Sequence, residues 1–251
     1  MTHAEWAGYV QRFHDERAGI TDVVLSGARH CDESPYEWAV QPVGSRSPVV
    51  DLACGSAPLH RLLNDSICIG VDSSPAELAL AATARAGPLV RGVAGDVPLA
   101  AGAAASVICS MSLQILQPLD RALEEIARLL RPGGVFVALL PARSPLSRRD
   151  QLRYAHLLIT LRRVSLAYPN DGALASPVAL FGAHGLDIVS DECRRFGLPV
   201  SAPTVGEAFV RSLYLPAGSA ARSEAAARVA RGWLGQEIGI PLRRIVATRR
   251  G

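Results

Sequence analysis

Three acidic residues close short apolar runs, and each has a setting in which it could hold part of a polar ligand. Val49-Val50-Asp51-Leu52 runs into the small-residue turn Ala53-Cys54-Gly55-Ser56-Ala57-Pro58 and then into Leu59–Leu63. A strand, a turn of small residues and a helix N-terminus make a cradle. Small side chains admit a ligand to the backbone, and free N–H groups accept its negative end. Only Gly55 is glycine, with Ala53 and Ala57 on either side, so G-x-G-x-x-G is not present and a pyrophosphate ligand is disfavoured. The alternative, a plain strand-to-helix turn, is the less favoured reading of the segment alone. Asp72 ends the run Cys68-Ile69-Gly70-Val71, 17 residues after Gly55. A carboxylate there can accept from both ribose hydroxyls, or it can cap the helix that opens at Ser73-Ser74-Pro75. Asp96, in Gly95-Asp96-Val97-Pro98-Leu99, can accept from the exocyclic amine of adenine while Val97 packs on the ring; the bland alternative is a turn residue.

In combination these motifs resemble those of the class I S-adenosylmethionine-dependent methyltransferases. Asp51–Ala57 is similar to their first motif, Gly70–Pro75 to their ribose-binding strand end, and Gly95–Leu99 to their adenine-contacting loop. Val107–Gln114 looks like their fourth motif, and Leu123–Gly134 like the helix and turn before their fifth strand. The resemblance runs in order from about Val49 to Pro141, and more loosely to Thr248. Single motifs are weak, whereas five in register are specific. The departures are Ala53 and Ala57, where the family often has glycine.

The resemblance implies S-adenosylmethionine as cofactor, with S-adenosylhomocysteine as product. Asp51 would hold the methionine ammonium, through water, and Leu52, Ala53, Gly55 and Ala57 would form the turn that lines methionine and ribose. Asp72 and Ser73 would sit at the ribose, Asp96 and Val97 at adenine, and Ser110 and Met111 beside the reacting methyl. An oxygen or nitrogen acceptor of raised pKa needs a general base, and histidine is the usual choice. His14, beside Asp15, is the first candidate, with His30 and His156 behind it and His60 and His184 on scaffold helices. A helical histidine next to an aspartate is also an ordinary surface pair. Ser110-Met111-Ser112-Leu113 stands where amino-methylating DNA and protein-glutamine enzymes carry N/D-P-P-[FYW], which disfavours those two substrates.

The elements that must position these residues can be read from hydrophobic spacing. Trp6, Val10, Phe13, Arg17 and Ile20 recur at helical intervals, continuing through Val24 and Leu25 until Ser34-Pro35-Tyr36 breaks the pattern. Gln41–Pro48 is a linker. Short strands then alternate with helices: strands end near Leu52, Asp72, Val93, Cys109 and Leu140, and helices cover Ala76–Ala86 and Leu119–Leu130. Such alternation calls for a parallel sheet covered on both faces. Ser144–Asp171 is an arginine-rich helical insert, Pro177–His184 a helix and Leu186–Cys193 a strand. Leu198–Leu234 reads as helical with breaks, and Arg243–Thr248 as a last short strand.

The expected fold is therefore α/β. The resemblance makes it a doubly wound, seven-stranded, mostly parallel sheet of Rossmann-like methyltransferase type, with Arg243–Thr248 antiparallel near one edge, plus a helical cap. The boundaries within one domain, 1–251, are an N-terminal cap at 1–46, a cofactor core at 47–141, a cap insert and substrate region with one core strand at 144–235, and a final strand at 236–251.

Composition narrows the function classes. Apolar residues make up 49% of 251, enough for a sizeable core, and the net charge of +3 is too small to argue for nucleic acid. All 26 basic residues are arginine. Five cysteines without a C-x-x-C pair indicate neither a disulfide framework nor a zinc site, and a reducing cytoplasm is expected. No metal is expected, since no cluster has ligand spacing. Charges before any apolar run argue against a secretory signal, and the uncharged stretch Val97–Leu119 is broken by Pro98, Gly102 and Pro118, so no membrane association is expected. Arg148, Arg149, Arg153, Arg162 and Arg163 surround leucines in the insert, as an RNA face, a lid over an acidic substrate, or a solvated face above an apolar one. Aromatics total 5%, few for base stacking, which favours the last. The expected partner is a small hydrophobic acceptor, such as a natural product of secondary metabolism. The rivals are an RNA methyltransferase and a non-catalytic module that binds S-adenosylmethionine; a nicotinamide oxidoreductase is disfavoured by the turn.

Overall fold

The computed structural model describes residues 2–63, 66–216 and 218–251. Helix α1 (His3–Glu16) opens with a capping box, Thr2 and Glu5 satisfying each other's backbone N–H groups. Gly19, at φ 76°, separates α1 from α2 (Ile20–Leu25), so the periodic run read as one helix is two. A Cβ on Gly19 would also lie 2.6 Å from Leu80. Ser34-Pro35-Tyr36 starts a helix instead of ending one: Ser34 and Glu37 form a second capping box and Pro35 takes the first turn of α3 (Pro35–Val40). This helix is not part of a cap. Trp38 is fully buried against the sheet, and the guanidinium groups of Arg194 and Arg244 lie 4.8 and 4.6 Å from its ring.

The central strands β1 (Val49–Leu52) and β2 (Cys68–Asp72) are joined by the small-residue turn and a 3-10 turn at Pro58–Leu62. Helix α4 (Pro75–Thr83) leads to β3 (Leu89–Arg91), then β4 (Ala104–Ser110), α5 (Leu119–Leu129) and β5 (Leu130–Pro141). Next come α6 (Arg148–Leu161), α7 (Asp171–Leu174), α8 (Pro177–Ala183) and β6 (Leu186–Pro199), then α9 (Pro203–Arg211), α10 (Ala220–Arg231) and β7 (Glu237–Arg249). The sheet has seven strands in the order β3-β2-β1-β4-β5-β7-β6. β1 pairs parallel with β2 and β4, whereas β7 is antiparallel to both β5 and β6. The antiparallel strand is thus second from the edge.

Alternation along the buried strands sorts side chains into two layers. Val49, Ile108 and Val137 face a core shared with α3, α6, α9 and α10, while Val50, Val107 and Phe136 face one shared with α5 and α8. Helix α5 contributes Leu119, Leu123, Ile126 and Leu129 at helical spacing, the apolar stripe such a layer needs. Of the helices expected to form a separate cap, α2, α3, α6, α9 and α10 share one core with the sheet, whereas α1 packs in its own cluster with Ile115 and Tyr214.

Two strands are far longer than their apolar runs. β6 extends past Cys193 to Pro199, and β7 starts at Glu237 although Pro241 offers no N–H. The charges that disguise them meet each other: Arg243 pairs with Asp191 and Arg244 with Glu192 across the ladder. Asp150 joins α6 to these strands. Its buried carboxylate accepts from Ser147, from Arg195 Nε at 2.7 Å and from the Gly239 N–H at 2.9 Å. Burial alone would raise its pKa, but the bonds from Arg195, Ser147 and Gly239 outweigh burial and hold the carboxyl well below the usual range. Asp150→Ala should cost ~1–3 kcal/mol in denaturant unfolding, because it leaves the buried Gly239 N–H without an acceptor and Arg195 with Glu237 alone. The wild type should lose this contribution only as pH falls below about 4; an unchanged midpoint in the variant refutes the role.

Candidate active site

Chain connections leave β1 and β4 in opposite directions, so a crevice opens at their carboxyl ends, where doubly wound sheets bind ligands. Its floor is Asp51, paired in register with Gly70 and Ile108 and only 1% exposed. Neither carboxylate oxygen has a hydrogen-bond partner, and the buried Ser110 Oγ beside the same crevice also lacks one. Burial, with the charge of Asp72 as the second cause, pushes the Asp51 carboxyl up to about 8. A buried carboxylate without a partner is costly unless a cation or donor reaches it. It suits an ammonium group.

Along the turn, Ala53 (φ 56°), Gly55 (φ 54°) and Ala57 (φ 55°) are all left-handed. This explains why glycine is common at such positions and why the two alanines carry strain. The Gly55 N–H donates to Asp72 Oδ2 at 2.8 Å, and the Ser74 N–H to Oδ1 at 2.8 Å. Asp72 thus pins the turn and the Ser74 residue that caps α4, and a carboxylate's remaining lone pairs can still accept from two hydroxyls. Burial raises its pKa, against those two backbone bonds.

Asp51, Ala53, Gly55, Asp72, Ser73, Ser110 and Met111 all line the crevice. Leu52 and Ala57 are buried beneath it in the core and supply only backbone to the turn. Asp96 is exposed in a turn closed by its N–H to Val93, and the Val97 side chain lies in the core with its N–H on Glu125, so neither lines the crevice. Of the histidines, only His14 reaches the site. His30 and His156 are exposed, His184 meets Asp120, and His60 sits behind the turn.

Glu77, Tyr36 and Tyr214 also line the crevice and escaped the sequence reading. Glu77 is 3% exposed and accepts from His14 Nδ1 at 2.8 Å and from the Gly19 N–H at 2.9 Å. Ser74 Oγ donates to Asp15 at 2.7 Å. Together these bonds hold the N-terminal segment over the crevice. The void left in the crevice beneath this segment is about 100 Å³. Beyond Met111, Thr21 and Tyr214, which it shares with the crevice, lies an apolar cavity of about 310 Å³. Leu25, Leu158, Phe209 and Ile240 are among its walls. Burial raises the thiols of Cys54 and Cys68, and that of Cys109 to about 12, which leaves no activated cysteine nucleophile here. Among the described residues no group of three or more His, Cys, Asp or Glu side chains could hold a metal, and no helix is long and apolar enough to cross a membrane.

Comparison with known proteins agrees with this geometry. Residues 50–138 match the methyltransferase domain family. Over that segment the chain is similar to methyltransferase domains. A demethylmenaquinone methyltransferase of Mycolicibacterium paratuberculosis is 34% identical over 48% of this chain and 53% of its own, so the chain spans about half the length of the curated relative it matches. The cyclase SpnF superposes with a TM-score of 0.60 at 16% identity, over 96% of each chain. A SAM-dependent methyltransferase of Thermotoga maritima gives 0.54 at 16% identity, over 97% of this chain and 99% of that one. These structural likenesses establish a shared fold. The matched segment runs from β1 into β5 and includes Asp51, Asp72 and Ser110.

Two outcomes follow from the turn and its acid. Ala53→Gly should stabilise the protein by ~0.5–1 kcal/mol, the left-handed strain relieved less the added chain entropy; a loss of stability would contradict the strain. For Asp51, a pKa raised in the folded state means that folding holds a proton the unfolded chain releases, so stability falls as pH rises from about 4 to about 8. Asp51→Asn removes that slope. Its melting temperature should match wild type below about pH 3.5 and exceed it by a growing margin up to about pH 8.5, and parallel melting profiles would rule the buried acid out.

Proposed function

We propose that this protein transfers a methyl group from S-adenosylmethionine to an oxygen or nitrogen nucleophile of a small apolar metabolite, in the cytoplasm. The observation that carries this reading is the unpartnered Asp51 carboxylate in a crevice that opens, past Met111 and Tyr214, onto an apolar cavity. The donor set fits the cofactor. Asp51 would take its ammonium, Asp72 its ribose hydroxyls, and Ser110 and Met111 would flank the transferable methyl. When bound, the cofactor supplies a sulfonium methyl that is already electrophilic, so the protein's tasks are alignment and exclusion of water. The segment α1–α2 closes the crevice, and the cavity's leucines and aromatics desolvate the acceptor.

The cavity walls favour an apolar acceptor over RNA. Two of the insert's arginines are used internally: Arg153 donates to Gln236 at 2.6 Å, and Arg163 donates to the Pro216 carbonyl. The curated relative is named for demethylmenaquinone, itself an apolar acceptor, and this supports the same preference.

Calorimetry and thermal shift with S-adenosylhomocysteine test the reading. A hundredfold excess over its dissociation constant should stabilise the protein by ~2.7 kcal/mol, with no effect of NAD. Asp72→Ala should weaken binding by ~1–3 kcal/mol in a folded variant. Methyl transfer from labelled cofactor to a panel of apolar phenols and amines should follow. Absence of S-adenosylhomocysteine binding to the wild type would overturn the reading; binding without transfer to any acceptor would favour a non-catalytic module, and salt-sensitive retention on RNA an RNA substrate.

A further inference from the structure

Tyr214 stands where the cofactor crevice meets the apolar cavity, and it belongs to both. Its hydroxyl lies 2.8 Å from His14 Nε2, while His14 Nδ1 lies 2.8 Å from Glu77 Oε1. Three elements far apart in the chain supply this row: α1, α4 and the segment after α9. A carboxylate only accepts, so Nδ1 carries the ring hydrogen and Nε2 receives the Tyr214 O–H. Both ring nitrogens are engaged, so His14 has none to offer an acceptor directly. The group presented to the cavity is the phenol.

The surroundings hold this phenol rigidly. Phe13 stacks on it with centroids 4.4 Å apart, and Tyr168 meets it edge-on at 6.1 Å. Trp6, whose indole N–H donates to the Ile115 carbonyl at 2.9 Å, braces the same cluster. The titratable groups that face Tyr214 are Tyr9 and His14 from α1, Glu77 from α4, Asp72 at the end of β2, and Tyr168. Burial holds the Tyr214 hydroxyl well above the usual phenol range. It is therefore neutral, and it can take a proton only while giving up its own.

We propose that Tyr214 is the catalytic residue that accepts the acceptor's proton and passes its own to His14 Nε2, with Glu77 as the positioning carboxylate. The proposal rests on the methyl-transfer reading above. For a hydroxyl acceptor, an oxygen lone pair forms the new C–O bond and the methyl–sulfur bond breaks, its electron pair staying on sulfur. The hydroxyl proton moves to Tyr214 Oη, and the Tyr214 proton moves to Nε2. The positive charge that leaves sulfur reappears on the imidazolium, beside the Glu77 carboxylate. No other co-reactant is needed.

The test uses the full chain saturated with S-adenosylhomocysteine, which cannot donate a methyl, and 4-nitrophenol, whose phenolate is coloured. In the wild type, a bound probe hands its proton along the row. At a given pH the ratio of bound phenolate to bound phenol should be ~tenfold higher in wild type than in Tyr214→Phe or His14→Gln. The two variants fail at different links, so either one serves if the other does not fold. With the best acceptor from the panel, Tyr214→Phe should lower kcat ~10²–10⁴-fold while calorimetric affinity for S-adenosylhomocysteine stays within about threefold. Equal probe ionisation and equal kcat in wild type and variants would overturn the relay while leaving the methyl-transfer reading intact. Failure of wild type to bind the probe would overturn the placement of an acceptor against Tyr214, and failure to bind S-adenosylhomocysteine would overturn the reading beneath both.

Discussion

Asp51 lies one residue before the end of β1, at the point where the sheet reverses its order of winding, and among the described residues nothing donates to either of its oxygens. The neighbours on both sides are strands, the floor is apolar core, and Asp72 brings a second negative charge nearby. A folded protein holds such a group only at a cost in stability, and a cationic ligand removes that cost. The left-handed turn, the pinning of Gly55 by Asp72 and the closure of α1 over the crevice are all arranged around this unsatisfied acid.

The N-terminal segment is consequently part of the site and not a separate cover. Glu77 belongs to the scaffold helix that follows Asp72, yet its oxygens are taken up by Gly19 and His14 from the covering segment. Asp15 reaches the Ser74 hydroxyl in the same way. The same segment carries the row through His14 to Tyr214. Helix α1 thereby links Ser74 and Glu77 of the α4 region to Tyr214. The aromatic cluster of Trp6, Phe13 and Tyr214 is the apolar part of that joint.

Much of the fold was legible because its central strands are short, apolar and bounded by turns. Val49–Leu52, Cys68–Asp72 and the helix from Leu119 lie close to where their patterns put them. Legibility failed where local pattern and tertiary pairing disagree. β6 and β7 carry Asp191, Glu192, Arg243 and Arg244, which look like loop residues until each meets its partner across the ladder. Ser34-Pro35 looked like a break and is a start, since the same two residues punctuate both ends of helices. Of the site residues, those on motifs at strand ends were visible from spacing. Glu77 and Tyr214 were not, because a glutamate in a first helical turn and a tyrosine in a leucine-rich stretch each have commoner explanations.

The sequence by itself determined the strand-turn-helix order, the acids at the strand ends and the small residues of the turn, since these depend on interactions within a few residues of the chain. Only the tertiary structure decided which buried acid lacks a partner, which histidine reaches the crevice, and that a tyrosine 200 residues away in the chain completes its hydrogen bonds. Partnership between distant groups is set by the packing of whole elements, and no local pattern of residues encodes it.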